Sequence, residues 1–167
     1  KEESLISSFE ESKGIEIVNF KIINKKNIGK PITRNIRFLS EDLVESINGK
    51  LYIEPLLFLT QRENPFKLEE RKFPVDFTSP WKDRNTVSIQ IPEGYKVEFL
   101  PESMAIGLPN NMGVFKYQVS QKENRISTAC IIQFNEAVIS SQNYLALKDF
   151  YAQLVKKESE KLVLVKM

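Results

Sequence analysis

The stretch Thr86-Val87-Ser88-Ile89-Gln90-Ile91 decides the fold, because its apolar side chains at 87, 89 and 91 alternate with polar ones at 86, 88 and 90. Successive side chains of a strand point to opposite faces, so this run has one buried and one wet face. Reading downstream, Ile91-Pro92-Glu93-Gly94 fits a type I turn with Pro second and Gly fourth, returning the chain as a strand over Tyr95–Leu100. Two further strands flank Gln121–Asn124. Val114–Ser120 aims Phe115, Tyr117 and Val119 one way, and Ile126–Phe134 aims Ile126, Cys130, Ile132 and Phe134 likewise, which predicts a hairpin.

Upstream, Pro80-Trp81-Lys82-Asp83 reads as a break, preceded by a strand over Leu68–Phe77 that alternates charges with Phe73, Val75 and Phe77 and follows a turn at Asn64-Pro65. Asn48-Gly49 is a hairpin signal, since both residues tolerate positive φ, and it leads into the apolar segment Leu51–Leu59. Before it, Ile32–Phe38 and Ile15–Ile22 read as strands separated by the turn residues Asn24–Asn27, Gly29 and Pro31. The earlier strand carries one slip in its two-residue rhythm that a bulge would absorb.

Helical spacing occurs twice. Leu5, Ile6 and Phe9 predict a short amphipathic helix over Glu2–Ser12 that Gly14 stops. Tyr144, Leu147, Tyr151 and Leu154 predict a helix over about 143–158, with Ser141 and Asn143 as candidate N-caps, and Leu162–Val165 then reads as a covered final strand. Short strands spaced near ten residues with turns between them indicate an all-β fold, a mainly antiparallel β-sandwich with two peripheral helices. Residues 1–13 form a connecting helix from an upstream domain in this reading, and 14–167 the sandwich. The first residue is Lys1 rather than Met, which points to a chain cut from something longer or one that has lost a leader.

The composition narrows the chemistry. Among 167 residues there are 24 Lys and Arg against 22 Asp and Glu, so a net charge of +2 offers no field to gather nucleic acid. No apolar run reaches the ~20 residues of a membrane-spanning helix. There is no histidine, which rules out a Cys-His or Ser-His-Asp engine and leaves a single thiol and carboxylates as metal ligands, so no metal and no cofactor is expected. Cys130 lies on the apolar face of its strand beside Ile132, where burial raises the thiol pKa, so it reads as a small core residue rather than a nucleophile. Glu69, Glu70 and Asp76 are candidate acid-base groups, but neighbours on a strand point to opposite faces, and a solvated face with Glu70 and Arg71 paired across strands is the simpler reading. Glycines are scattered singly and make no phosphate loop. Trp81, Tyr95 and Phe99 remain as a candidate aromatic platform for a ligand or an interface.

The strings Asn64-Pro65-Phe66-Lys67-Leu68-Glu69-Glu70-Arg71-Lys72-Phe73-Pro74-Val75-Asp76-Phe77 and Ile91-Pro92-Glu93-Gly94-Tyr95-Lys96-Val97-Glu98, with Leu100-Pro101, Pro109-Asn110-Asn111, Asn143-Tyr144 and Leu147-Lys148-Asp149-Phe150, carry a resemblance. In order and together they resemble the C-terminal domain that follows the papain-like core in transglutaminase-like proteins typical of Bacteroidetes. That resemblance covers the chain from about Gly14 onward. It implies a non-catalytic accessory domain packing against an upstream catalytic domain, in a periplasmic or cell-envelope protein. The family's catalytic Cys, His and Asp belong to the preceding core, so no catalytic residue carries over. The residues themselves have scaffold roles: Pro65, Pro74, Pro92 and Pro101 shape turns and strand edges, and Phe66, Phe73 and Phe77 are candidate core aromatics. The rival reading is an independent module binding envelope polysaccharide or peptide, with Trp81 or Tyr95 at a loop-end groove.

Overall fold

The computed structural model describes residues 2–30 and 32–167, so Lys1 and the predicted turn residue Pro31 lie outside the described residues. The chain divides into two compact units, Lys1–Val44 and Glu45–Met167. In the first, helix α1 (Glu2–Lys13) precedes an antiparallel hairpin of β1 (Glu16–Ile23) and β2 (Thr33–Leu39). Gly14 ends the helix in the left-handed region at φ +61°, its N–H donating to Glu10 O at 2.9 Å. The expected slip is real, since the β1–β2 register shifts between Ile17 and Asn19. Among the described residues of this unit, Ile15 supplies the buried apolar side chain, while Val18, Ile32 and Leu39 are exposed.

The second unit is built on two four-stranded antiparallel sheets. Its strands begin with β3 (Val44–Ile47), whose first residue falls at the unit boundary, and β4 (Lys50–Ile53). Asn48 and Gly49 both take positive φ, +52° and +77°, which is what the two-residue hairpin requires. The chain continues through β5 (Val75–Asp76), β6 (Trp81–Gln90), β7 (Tyr95–Phe99), β8 (Met104–Gly107), β9 (Gly113–Lys122), β10 (Arg125–Phe134), β11 (Val138–Ile139), helix α2 (Tyr144–Glu158) and β12 (Leu162–Lys166). One sheet has the order β6-β10-β9-β8, the other β3-β4-β12-β7, and β5 pairs with β11. The fold is all-β with one helix at each end of the sequence, as the two-residue rhythm implied.

Several local expectations fail for identifiable reasons. The strand predicted over Leu68–Phe77 shrinks to Val75–Asp76, because Pro74 has no N–H to donate and the residues before it find no neighbouring strand. Phe66 is buried and Phe77 packs on the core, but Phe73 is 77% exposed and is not a core residue. Glu70 and Arg71 fall on this irregular segment and are exposed, so they have no strand geometry in which to pair. The break expected at 80–83 does not occur. Trp81 opens β6, and the ladder with β10 runs uninterrupted to the pair Trp81↔Phe134, long-range pairing overriding a local turn signal. After Ile53 the apolar segment leaves the sheet through Pro55 and a 3-10 turn at Leu57–Leu59.

The turn after β6 is displaced by one residue. Tyr95 N–H donates to Pro92 O at 3.2 Å and Gly94 takes φ +78°, so Pro92 stands first and Gly94 third, with the positive φ that a type II turn needs there. Neither predicted cap makes a capping bond: α2 grows out of a 3-10 turn at Ser141–Asn143, and the Asn143 amide donates instead to Ser140 Oγ at 3.1 Å.

Helix α2 is a core element rather than a peripheral one. It buries Tyr144, Leu147, Phe150, Tyr151, Leu154 and Glu158, packing them with Phe115, Tyr117, Cys130 and Phe134 of β9 and β10. A smaller cluster unites Ile53, Leu162 and Leu164 from one sheet with Ile126 from the other and Ile91 just past the end of β6, which is the face-to-face contact of a sandwich.

Candidate functional site

The three aromatics singled out in the sequence are not brought together. Trp81 packs its ring 5.1 Å from Phe134 and 6.2 Å from Phe77, so it closes the edge of the large core. Tyr95 packs on the smaller cluster, and Phe99, at the far end of β7, is 51% exposed. Tyr95 lies beside Gln90, nine residues along β6 from Trp81, a separation of about 30 Å at strand rise. It does line a groove of about 480 Å³ between the β6–β7 and β9–β10 turns, together with Gln90, Pro92, Glu93, Lys96 and Gln121. Asp76 has a local task, its Oδ1 accepting from Thr78 N–H at 2.7 Å where Thr78 takes φ +69°, and Glu69 and Glu70 are solvated.

The sequence reading missed a concentration of buried polar groups among the described residues. Glu158, at the last position of α2, is 2% exposed. Its Oε2 accepts from the Gln61 backbone N–H at 2.7 Å and its Oε1 accepts from the Cys130 thiol at 3.1 Å. Tyr117 stands opposite Cys130 in the β9–β10 ladder, and Thr128 lies two residues away on the same face of β10. The hydroxyls of Tyr117, Thr128 and Thr60, the residue before Gln61, are buried without hydrogen-bond partners. A signal did exist: Glu158 continues the stripe 144, 147, 151, 154 by one more helical step of four.

Burial dominates the electrostatics here. It pushes the Cys130 thiol well above its ordinary value, and the neighbouring Glu158 charge pushes further in the same direction. The Tyr117 phenol is raised by burial first and then by Cys130 and Glu158, and burial lifts Tyr151 to about 12. Glu158 is raised by burial, with the bonds from Gln61 and Cys130 opposing that shift and Asp83 adding to it. A thiol that is 1% exposed and protonated is a packing group, as its strand position implied, and not a nucleophile. Among the described residues no group of three or more Cys, Asp or Glu side chains could hold a metal ion, and no helix is long and apolar enough to cross a membrane.

Residues 49–164 match the family model DUF3858, described as a domain of unknown function with a solved structure. No curated protein matches the chain. Among solved structures it is similar to the crystal structure of a candidate protease from Parabacteroides distasonis, with a TM-score of 0.50 and 15% identity over 58% of this chain. The similarity is one of fold, and the chain spans only 19% of that protein's length.

Proposed function

This chain belongs to the DUF3858 family of domains of unknown function, and on that footing we propose that it is a non-catalytic accessory domain of a longer transglutaminase-like protein, packing against or positioning that protein's catalytic domain. The observation that carries this reading is a segment that is held in place and yet bare. The Tyr144 hydroxyl and the Lys148 ammonium both donate to Leu68 O, at 3.1 and 2.9 Å, and Asn64 Nδ2 donates to Lys148 O at 2.8 Å. Leu68 at this anchor is 60% exposed, Phe73 further along the same segment is 77% exposed, and Leu145, next to Tyr144 on α2, is 63% exposed. Apolar side chains fixed in water gain about 25 cal/mol per Å² when a partner covers them, with little further ordering to oppose it. The absence of histidine and the sealed, protonated Cys130 support a domain without a reaction of its own. The place of such a domain would be the periplasm or cell envelope, checked by fractionating cells that make the longer protein.

The isolated chain is expected to turn over no peptide or isopeptide substrate. Excising it from the longer protein should lower that protein's activity or melting temperature, and the pair Leu68→Asp with Phe73→Asp should do the same without unfolding the domain. Turnover by the isolated chain, or a longer protein indifferent to the excision, would overturn the proposal. A second reading, a module for envelope glycan or peptide, is favoured by Tyr95 in its groove. Binding on a glycan or peptide array that is lost in Tyr95→Ala would select it.

A further inference from the structure

Glu158 is placed where an acid is costly. Its carboxylate is sealed beneath the end of α2, and it accepts two hydrogen bonds, from Gln61 N–H and the Cys130 thiol, where an ionised carboxylate has about four acceptor sites to fill. Among the described residues no Lys or Arg forms an ion pair with it, and the nearest helix cation, Lys157, is spent on Glu160 at 2.7 Å. An ionised carboxylate buried without a cation is strongly disfavoured, whereas a neutral one is an ordinary hydrogen-bonding group. Among the described residues the other ionisable groups acting on it are Cys130 on β10, Asp83 on β6 and Tyr117 on β9, and Glu160 just past the helix acts on Tyr117 in turn. The three elements it joins are distant in sequence, since Gln61 follows the 57–59 turn, Cys130 lies mid-strand in β10, and Glu158 ends α2.

We propose that Glu158, Cys130 and Gln61 form a proton-operated latch: neutral Glu158 can stay sealed between the end of α2, β10 and the segment entering at Thr60–Gln61, whereas ionisation strengthens the two bonds it accepts but leaves a charge buried without a cation, and that cost opens the end of the helix to water. The direction of the pH effect follows from linkage. Burial raises the acid in the folded chain, so between its unfolded value of about 4.3 and its higher folded value the folded state keeps a proton that the unfolded state has released. The latch therefore contributes stability in full below the unfolded value and loses it as pH rises through the folded one.

The test compares the 167-residue chain with Glu158→Gln, which keeps the shape and is neutral at every pH. Unfolding by denaturant, measured across pH, should show wild type losing ground to the variant as pH rises above the ordinary carboxylate range. Amide exchange at residues 155–161 should speed up over the same interval in wild type alone. A difference that is flat with pH, or a wild type that gains on the variant as pH rises, overturns the latch. Should Glu158→Gln fail to fold, infrared spectra of wild type decide: a carbonyl band of a neutral acid that survives above the ordinary carboxylate range and then fades supports the latch, and its absence overturns it.

Discussion

The two apolar clusters of the Glu45–Met167 unit differ in what they tolerate. Where sheet meets sheet, the contact is made by Ile53, Ile91, Ile126, Leu162 and Leu164, all aliphatic. Where α2 meets β9 and β10, rings crowd around Phe134, with Phe77, Trp81, Phe150 and Tyr151 at 4.5 to 6.1 Å, and the polar heads of Thr128 and Glu158 are enclosed at the same level of burial. The difference has a structural cause. Strand ladders satisfy their own backbone on both sheets, leaving only side chains to match, whereas a helix ends, and the turn at its end brings unpaired backbone groups and crossing chain into the interior. The polar cluster forms where α2 stops and Gln61 passes.

The comparison can be broken from either side. Phe134→Ala should have the largest effect, removing a ring that four others touch and costing about 3–5 kcal/mol in denaturant unfolding. Leu164→Ala, in the aliphatic cluster, should cost about 2–4 kcal/mol and lose it equally across the carboxylate range, since no carboxyl group belongs to that cluster. A loss from Leu164→Ala that varied with pH as strongly as the Glu158 effect would erase the distinction between the clusters. The smallest change should run the other way: Thr128→Val replaces a buried hydroxyl without a partner by a methyl of similar shape and should stabilise by about 1 kcal/mol. A destabilisation of that size would mean that the hydroxyl has work to do.

Local pattern carried the reading furthest where neighbours in sequence are also partners in space. The β9–β10 hairpin, with its ten-pair register from Lys122↔Arg125 to Gly113↔Phe134, needs nothing but alternation on both sides of a short turn. Segment 61–74 shows the opposite case. From Leu68 onward its alternation predicts a strand, but no strand lies beside it before Val75, and what holds it is a set of bonds to Tyr144 and Lys148 of a helix some eighty residues later. The candidate site fared similarly. Trp81, Tyr95 and Phe99 were picked by residue type, and their distance apart depends on strand order. Glu158 was visible only as a charge at a stripe position, and its partners Gln61 and Cys130 lie 97 and 28 residues away.

By itself the sequence determined the strand-rich class, the hairpins at 48–49 and 121–124, the extent of α2 and the burial of Cys130, because each follows from periodicity and turn chemistry within a few residues. Tertiary structure alone decided that α2 enters the core, that segment 61–74 stays irregular with Phe73 in water, and that a carboxylate sits sealed against a thiol. Those outcomes depend on which distant surfaces meet, and burial, which sets both packing and the proton affinity of Glu158, is a property of that meeting.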